Sequence, residues 1–343
     1  MDVPVRGPAS GSLFIVGGGE MAHLVPTFLR QGGGATDCEL VIFPTAMDDE
    51  TLSNPEYGAL VAQPWLDAGL PAACISVLHT RDRDTADSEE FTAALETATA
   101  VWFDGGRQWR FVDAYSGTKT LEKVRGVLDR GGVVGGSSAG ATVLGEFLTR
   151  GDTESNQLLI GDHTEGFGLM KNVAIDQHLL RRNRMFDLLE VLTMQPELLG
   201  LGIDEGTAII VRDERADVIG QSYVAVYNSA EFYAEAGDEA ARDPFFLLGH
   251  GQALDLVTRL PVGGSAAEFL EDQLMLAILS DTELVVAIRQ QGFQQLMIQL
   301  QGDPQGTMEA YRESAPAMAF IRRLSAGIEQ VRAVQQGGDG AKL

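Results

Sequence analysis

A glycine-rich turn near the middle of the chain presents a serine in a pattern that could do covalent chemistry. The stretch "VVGGSSAGATVLGEF" (133–147) runs two β-branched residues into the pattern Gly136-x-Ser138-x-Gly140. A strand that turns sharply into a helix needs small residues on both sides of the turn, and the strain pushes the apical hydroxyl outward. The pattern predicts a nucleophile elbow with Ser138 as the nucleophile. A tight strand-to-helix connection without chemistry is the alternative.

A serine nucleophile needs a base, and His178 is the best placed of the five histidines. It lies in "IDQHLLRRNRMFDLL", at the end of a strand-like apolar run. Because strand ends meet at the sheet edge where the elbow is expected, His178 can take a proton from Ser138. Its other ring nitrogen needs an orienting acid. The stretch "GIDEGTA" supplies Asp204 and Glu205, and we expect one of the two to act while the alternative is a turn capped by Asp204.

Backbone N–H groups are predicted to face the oxyanion of such a reaction. Ala139, directly after the serine, supplies one of them. The glycines of "FDGGRQ" (103–108) follow another strand-like run, and Gly105-Gly106 can supply the second, although an ordinary turn also fits. The chain order Ser, His, acid differs from the order Ser, acid, His of α/β-hydrolases, so the scaffold must be a different one.

Buried apolar runs alternate with helical segments through the first half of the chain. Strand-like runs lie at 12–21, 39–46, 72–79, 98–106 and 131–140, and helical periodicity at 20–31, 58–69, 88–97 and 107–130. This alternation predicts an α/β fold with a mostly parallel sheet sandwiched by helices, whose strand ends form one ligand-binding edge. Further strands are predicted at 202–211, 217–227 and 247–257.

The stretch "PVGGS" marks a domain boundary. We expect a catalytic α/β domain over residues 1–262 and a C-terminal helical extension over residues 263–343. Ser265 and Glu268 form a capping box at the start of the extension. The extension carries no recognisable chemistry, and it could pack onto the core or onto a second copy of the chain in a homodimer.

Composition excludes several partners. The 343 residues carry 49 acidic and 25 basic side chains, a net charge of −24, so nucleic acid is a poor partner. This negative charge either keeps the protein soluble or attracts a cationic substrate. No apolar run is long enough to span a membrane. The N-terminal residues lack a signal-peptide core, and two cysteines give no disulfide framework. We therefore expect a cytoplasmic protein with two buried thiols.

Four motifs occur in order along the chain. They are Gly105-Gly106-x-Gln108, Gly136-x-Ser138-Ala139-Gly140-Ala141, Asp176-Gln177-His178 and Gly202-Ile203-Asp204-Glu205-x-Thr207-Ala208. Together they resemble the motifs of the cyanophycinases of peptidase family S51, serine peptidases related to aspartyl dipeptidase, over roughly residues 11–260. The resemblance implies a fold similar to class I glutamine amidotransferases, which is flavodoxin-like. It also implies hydrolysis of β-linked aspartyl-arginine units from a polymer with an aspartate backbone and arginine side chains.

The resemblance also implies residue roles. Ser138 would be the nucleophile, His178 the base and Glu205 the orienting acid of a serine-type exopeptidase, with Gly106 and Ala139 as the oxyanion hole. No metal or organic cofactor is needed. Arginines can clamp the carboxylates of a substrate, and Asp176 could pair with its guanidinium or amine. A solvated helix face is the alternative for the arginines. The residues implied to line the substrate pocket are Gln108, Asp176, Gln177, Arg182 and Arg184.

Two positions depart from the family pattern. Asp187 stands where the pattern has another arginine, nine residues after His178, and Arg107 stands where an acidic residue is common. The first change removes a carboxylate clamp, and Arg107 would return the lost charge. A cyanophycin-like or β-aspartyl-arginine substrate is therefore expected, with a related aspartyl dipeptidase or another amide hydrolase of changed specificity as the alternative.

Other function classes fit parts of the sequence less well. "GGGEMA" (17–22) satisfies a dinucleotide-binding pattern after a strand, but the next strand ends in "FPT" with no acid for a ribose. A non-catalytic binding protein with the amidotransferase-like fold would not need serine, histidine and glutamate together. A cysteine-dependent amidotransferase is excluded because neither Cys38 nor Cys74 lies at the elbow.

Overall fold

The computed structural model describes residues 5–227 and 245–262, together with Asp303 and Gly306. By its internal contacts the chain divides into two compact units. The first comprises Met1–Leu179, Arg184–Phe232 and Pro244–Gly263, and the second comprises Leu180–Asn183, Tyr233–Asp243 and Gly264–Leu343. The predicted helical extension lies outside the described residues except for Asp303 and Gly306. The extension and the homodimer both stay predictions.

Two sheets occupy the described residues of the first unit. Their strands are β1 (Ser12–Val16), β2 (Leu40–Phe43), β3 (Ile75–Val77), β4 (Ala100–Phe103), β5 (Val133–Ser137), β6 (Val173–Gln177), β7 (Leu199–Ile203), β8 (Thr207–Arg212), β9 (Arg215–Gly220), β10 (Val224–Tyr227), β11 (Phe246–Leu248) and β12 (Ala253–Asp255). The larger sheet has the order β12-β9-β8-β1-β5-β4-β2-β3. Strands β1 to β5 pair in parallel, and β8, β9 and β12 add an antiparallel edge. The predicted α/β fold with a mostly parallel sheet is confirmed.

The smaller sheet has the order β11-β10-β7-β6, and the strand pattern did not predict it as a separate layer. The predicted strand at 202–211 is two strands, because the chain turns at Gly206, whose φ is 64°. On either side of that turn, β7 belongs to the smaller sheet and β8 to the larger one. Apolar periodicity shows that a strand is buried but not which sheet it joins, so the crossing was not visible from sequence.

The helices of the described residues are short. They are α1 (Val25–Gln31), α2 (Asp49–Ser53), α3 (Tyr57–Asp67), α4 (Arg83–Ala86), α5 (Glu89–Thr92), α6 (Trp109–Tyr115), α7 (Lys119–Asp129), α8 (Ala139–Thr142) and α9 (Leu188–Met194), with 3₁₀ turns at Ala72–Cys74 and Ala93–Glu96. The helical segment predicted at 107–130 is broken by Gly117, whose φ of 70° an α-helix cannot accommodate. None of the helices in these residues is long and apolar enough to cross a membrane.

Helices cover both faces of the larger sheet. Successive side chains of a strand point to opposite faces, so Trp102 and Phe103 of β4 report on the two sides. Trp102 packs against Phe28 of α1, with ring centroids 5.1 Å apart, and Phe103 packs against Phe111 of α6 at 5.2 Å. Helices α1 and α6 therefore lie on opposite faces, which confirms that the sheet is sandwiched by helices.

The two cysteines differ in burial. Cys38 is buried, and burial raises the pKa of its thiol to about 11. Cys74 is only half-buried. The prediction of two buried thiols is therefore wrong for Cys74, which ends the 3₁₀ turn before β3, a strand at the edge of the larger sheet.

Candidate active site

Ser138 lies at the tip of a strained turn between β5 and α8. Its φ of 55° and ψ of −112° lie in a region that residues with a side chain rarely adopt. The flanking glycines permit the turn. A Cβ at Gly136 would lie 2.4 Å from the backbone of Gly140, and a Cβ at Gly140 would lie 1.9 Å from the carbonyl oxygen of Phe103. The local geometry is that of a nucleophile elbow, and only glycine fits on either side of the serine.

Ser138, His178 and Glu205 lie within hydrogen-bonding distance of one another in series. The Ser138 Oγ is 2.8 Å from His178 Nε2, and His178 Nδ1 is 2.6 Å from Glu205 Oε1. The imidazole is buried, while the Glu205 side chain is 27% exposed. A histidine held in this way can accept a proton from a hydroxyl while a carboxylate orients its other nitrogen. The structure thus brings together the three predicted side chains, and their roles in catalysis stay predictions.

The smaller sheet positions the histidine and the acid. In the parallel pair of β6 and β7, Gln177 lies opposite Ile203, so His178 and the residues after Ile203 emerge at the same end. His178 has a positive φ of 54°, and its N–H donates to the Gly17 carbonyl at 2.8 Å. The sequence predicted that these side chains come from the edge of the sheet that carries the elbow. In the structure, His178 and Glu205 instead reach Ser138 from the smaller sheet.

The choice between the two acids is clear in the geometry. Glu205 contacts the imidazole, whereas Asp204 is fully buried and accepts a hydrogen bond from the Ser222 hydroxyl at 2.6 Å. Asp204 also uses its backbone, since its N–H donates to the Tyr223 carbonyl at 3.1 Å. These contacts of Asp204 tie the turn to the residues just before β10, and it is the Glu205 carboxylate that contacts the His178 ring.

The glycine run Gly17-Gly18-Gly19 was not assigned to the site from sequence, yet it forms the wall behind the histidine and the glutamate. A Cβ at Gly18 would lie 2.3 Å from His178 Cε1, and a Cβ at Gly19 would lie 2.8 Å from Glu205 Oε2. A Cβ at Gly17 would lie 2.2 Å from the Asp204 carbonyl oxygen. The run is free of side chains because the imidazole and the carboxylate pack directly on its backbone.

The same contacts weigh against the dinucleotide alternative. In that fold the glycines open a helix and leave the backbone accessible to a pyrophosphate. Here the faces of Gly18 and Gly19 are covered by His178 and Glu205, and α1 begins only at Val25. The glycine-rich pattern thus has a packing explanation within this site.

The predicted oxyanion glycines lie beside the serine. Register between β4 and β5 places Phe103 opposite Gly136, so the turns after both strands are neighbours. A Cβ at Gly105 would lie 3.8 Å from the Ser138 Cβ. Gly106 has a φ of 136° and packs on the Ala46 carbonyl. Within residues 5–227 and 245–262, neither the Gly106 N–H nor the Ala139 N–H donates a hydrogen bond, which leaves both for a ligand.

Asp176, predicted to meet a substrate guanidinium or amine, is fully buried and already paired within the protein. Arg150 donates from Nε to one oxygen at 2.9 Å and from Nη2 to the other at 2.8 Å. The Arg184 Nη1 lies 3.6 Å away. Such a bidentate pair is among the strongest interactions of arginine. Both oxygens of Asp176 are thus engaged, and sequence reasoning had assigned no role to Arg150.

The other predicted substrate residues differ in exposure. Gln108 is buried and donates to the Thr149 carbonyl at 2.6 Å. Gln177 is buried and accepts from the Arg184 Nη1 at 2.8 Å. Arg184 is buried too, whereas Arg182 is exposed in the turn at 180–183. The roles of all four in substrate binding stay predictions.

Asp187, the departure from the family pattern, has a partner in Arg150. Its Oδ2 accepts from the Arg150 Nη2 at 2.5 Å, and its side chain is 38% exposed. Burial by itself lowers the pKa of Arg150, but the hydrogen bonds and charges of Asp176 and Asp187 outweigh this and raise it above the ordinary value. One buried cation, held in a backbone conformation with a φ of 55°, thus serves two carboxylates.

Replacing Arg150 with methionine is expected to destabilise the fold strongly. The change leaves the fully buried carboxylate of Asp176 with Arg184 as its remaining cation, at 3.6 Å. Breaking a buried ion pair in this way costs about 3 kcal/mol or more of the free energy of unfolding. Urea denaturation of the full chain measures it. Asp187→Asn is the matched control, since it removes a half-exposed partner and is expected to cost about 1 kcal/mol. Equal losses in the two variants would contradict the assignment.

Comparison with known proteins places the chain in a family. The family model of peptidase family S51 matches residues 10–219. A cyanophycinase of Geminocystis herdmanii is 33% identical over 269 residues, which is 74% of this chain and 96% of that protein. A cyanophycinase of Trichormus variabilis is 30% identical over 231 residues, 64% of this chain and 74% of the relative. A crystal structure of a peptidase from an acI-B1 Actinobacterium has a TM-score of 0.54 at 23% identity, covering 73% of this chain and 98% of that one.

These comparisons agree with each other. The solved structure has the same α/β fold. The family model covers more than half of the chain and spans the elbow, the histidine and the acid. The four motifs that suggested the resemblance are therefore part of a likeness that extends over most of residues 10–219. The chain belongs to peptidase family S51, the family of the cyanophycinases, and is a serine-type peptidase.

Proposed function

We propose that this peptidase uses Ser138, His178 and Glu205 as a catalytic triad to cleave β-aspartyl peptide bonds, with cyanophycin or β-aspartyl-arginine units as substrate. The observation that carries the proposal is the hydrogen-bonded series at the elbow, with 2.8 Å from serine to histidine and 2.6 Å from histidine to glutamate. Nucleophile, base and orienting acid are recognised by this geometry whatever the fold.

The first half of the reaction is acylation. The Ser138 Oγ attacks the substrate carbonyl carbon while His178 Nε2 takes the hydroxyl proton, and the Nδ1–H of the imidazolium donates to the Glu205 carboxylate. Negative charge develops on the carbonyl oxygen, which the N–H groups of Gly106 and Ala139 stabilise. Collapse of the tetrahedral intermediate breaks the amide bond, and the leaving amine takes the proton from His178.

The second half is deacylation by water. His178 Nε2 takes a proton from a water molecule, whose oxygen attacks the ester carbonyl of acylated Ser138. The same two N–H groups stabilise the second oxyanion. The proton then returns from His178 to the Ser138 Oγ as the carboxylic acid product leaves. These steps need only the nucleophile, the base, the acid and the two N–H groups.

Substrate choice is the part of the proposal that the relatives support most directly. The relatives from Geminocystis herdmanii and Trichormus variabilis are cyanophycinases, which favours a β-linked aspartyl-arginine substrate. The pairing of Arg150 with Asp176 and Asp187 favours a second candidate. A protein guanidinium that already occupies both carboxylates leaves them unavailable to a substrate guanidinium. A β-aspartyl or other amide hydrolase without arginine preference is therefore the alternative.

A substrate panel separates the two candidates. We expect the protein to degrade cyanophycin, and mass spectrometry of the products identifies the bond that is cut. Arginine is released by cleavage of the β-aspartyl bond, and intact β-aspartyl-arginine by cleavage of the backbone amides beside such a unit. The panel adds α- and β-aspartyl dipeptides of arginine and of leucine. Cleavage of β-aspartyl peptides irrespective of arginine would support the second candidate. A fluorophosphonate should add mass at Ser138 in either case. Labelling at another serine, or cleavage of no member of the panel, would overturn the proposal.

A further inference from the structure

Three arginines surround the loop that follows β2, beside the proposed oxyanion glycines. The Arg107 N–H donates to the Ala46 carbonyl at 2.8 Å, and the Arg110 Nη1 donates to the same oxygen at 2.9 Å. Arg81 donates to the Met47 carbonyl. We call Arg81, Arg107 and Arg110 the arginine cluster. Gly106, whose Cα packs on Ala46, connects the arginine cluster to the turn that lies beside Ser138.

The cluster holds buried donors that have no protein acceptor among the described residues. Within residues 5–227 and 245–262, the Nε of each of the three arginines is buried and makes no hydrogen bond, and the same holds for the Trp109 Nε1. Buried polar groups are nearly always satisfied, and each exception needs an explanation. All four atoms are N–H donors, and none has a protein acceptor in these residues.

Two of the three arginines have no ion-pair partner in the part of the chain that the structure describes. Arg81 pairs with the exposed Asp49, but neither Arg107 nor Arg110 forms an ion pair in the part of the chain that the structure describes. Arg107 donates from Nη2 to the Asp152 carbonyl at 2.6 Å. Burial, followed by the charges of Arg81 and Arg107, lowers the pKa of Arg110, although Asp48 and Asp49 oppose this. A chain of net charge −24 thus concentrates cations at this point.

Asp104, three residues before Arg107, forms no ion pair with the cluster within the described residues. Asp104 precedes the oxyanion glycines, and burial raises the pKa of its side chain above the ordinary value. Hydrogen bonds from the Gly105 N–H and the Trp102 side chain oppose that shift. Burial therefore opposes ionisation of the Asp104 side chain.

We infer that Arg107 and Arg110, supported by Arg81, form a subsite for a carboxylate of an acidic peptide substrate bound at Ser138. The inference rests on the proposed function and adds to it a part of the substrate beyond the scissile β-aspartyl bond. A carboxylate supplies acceptors to several guanidinium donors at once and neutralises their charge. In the proposed polymer the aspartate side chains are amide-linked to arginine, so its free carboxylates belong to the arginine units. An aspartate-rich peptide carries free carboxylates on its side chains.

Three synthetic peptides sharing one β-aspartyl bond test the subsite. One has no charged side chain, one has an added aspartate before the bond and one has an added aspartate after it. We expect one acidic peptide to have a kcat/KM roughly 10-fold or more above that of the uncharged peptide, as for a charge-assisted hydrogen bond. In Arg110→Gln the ratio should fall close to one, and Arg110→Lys should keep part of it.

Arg130→Gln is the matched control. Arg130 follows α7 and donates to the carbonyls of Leu95 and Ala98 at 2.8 and 3.2 Å, at the opposite end of the sheet from the elbow. The Arg130→Gln variant should retain the preference for the acidic peptide that the unmodified chain shows. Equal cleavage of the three peptides by the unmodified chain, or equal loss of preference in Arg110→Gln and Arg130→Gln, would overturn the inference.

A binding measurement separates this inference from the proposed function. Succinate, a dicarboxylate without an amide bond, should bind the Ser138→Ala protein in calorimetry, and Arg107→Gln with Arg110→Gln should weaken that binding roughly 10-fold or more. Binding of succinate without cleavage of any peptide would remove the proposed function and keep the subsite. Cleavage without succinate binding would remove the subsite and keep the proposed function.

Discussion

Ser138→Ala is expected to remove peptide hydrolysis while the fold stays intact. The change deletes the Oγ that lies 2.8 Å from His178 Nε2, so no acyl-enzyme can form. Loss of a nucleophilic serine from a triad lowers kcat by about 10⁴-fold to 10⁶-fold, and what remains comes from the oxyanion donors and binding. The measurement is the release of product from the cleaved member of the substrate panel, followed by mass spectrometry.

A matched control separates the nucleophile from its neighbour. Ser137, the last residue of β5, is also a buried serine, and Ser137→Ala changes the same chemical group one position away. We expect this variant to keep most of the activity and Ser138→Ala to keep its cooperative thermal unfolding. Turnover by Ser138→Ala within tenfold of the unmodified chain would remove Ser138 from the mechanism.

The elbow could be predicted from sequence because its physical requirements are local. A serine with a positive φ between a strand and a helix needs glycine at the neighbouring positions, where a Cβ would clash with the backbone. The glycines around Ser138 show this requirement directly in the sequence. Most of the parallel strands could be predicted as well, since β1, β2, β4 and β5 are buried along their whole length. The exception is β3, an edge strand that is only half-buried.

The second sheet and its use could not be read in the same way. Which sheet a strand joins depends on pairing between distant segments, such as Gln177 with Ile203, and pairing leaves no mark in the apolar period of either strand. The turn at Gly206 carries the chain from one sheet to the other. Sequence identified His178 and Glu205 as strand-end residues but not the layer that delivers them.

The buried ion pairs escaped prediction for a related reason. Arg150 lies in a loop without a motif, and its partners Asp176 and Asp187 stand 26 and 37 positions away. The sequence analysis assigned Asp176 to a substrate cation and interpreted Asp187 as the loss of a carboxylate clamp, because charge and order along the chain do not show which groups are already paired. The Arg150 guanidinium therefore competes with any substrate guanidinium for these two carboxylates.

Gly18→Ala is expected to lower kcat/KM by about 100-fold or more, although residue 18 carries no functional group. The added Cβ would lie 2.3 Å from His178 Cε1 and 2.8 Å from both ring nitrogens, so the imidazole must move. A displacement of about 1 Å in a catalytic group can cost roughly 100-fold in rate. Steady-state kinetics on the cleaved peptide measures the loss, and fluorophosphonate labelling of Ser138 should slow in parallel because the base has moved.

Gly69→Ala is the control that isolates the contact with the ring. Gly69 has a φ of 93°, close to the 110° of Gly18, but a Cβ there meets nothing within 4 Å. Both variants therefore carry a comparable backbone strain, on the order of 1 kcal/mol, and only Gly18→Ala displaces the imidazole. We expect the kinetics to separate the two variants more than their thermal stability does. Equal activity in both would mean that the ring does not rest on Gly18 during catalysis.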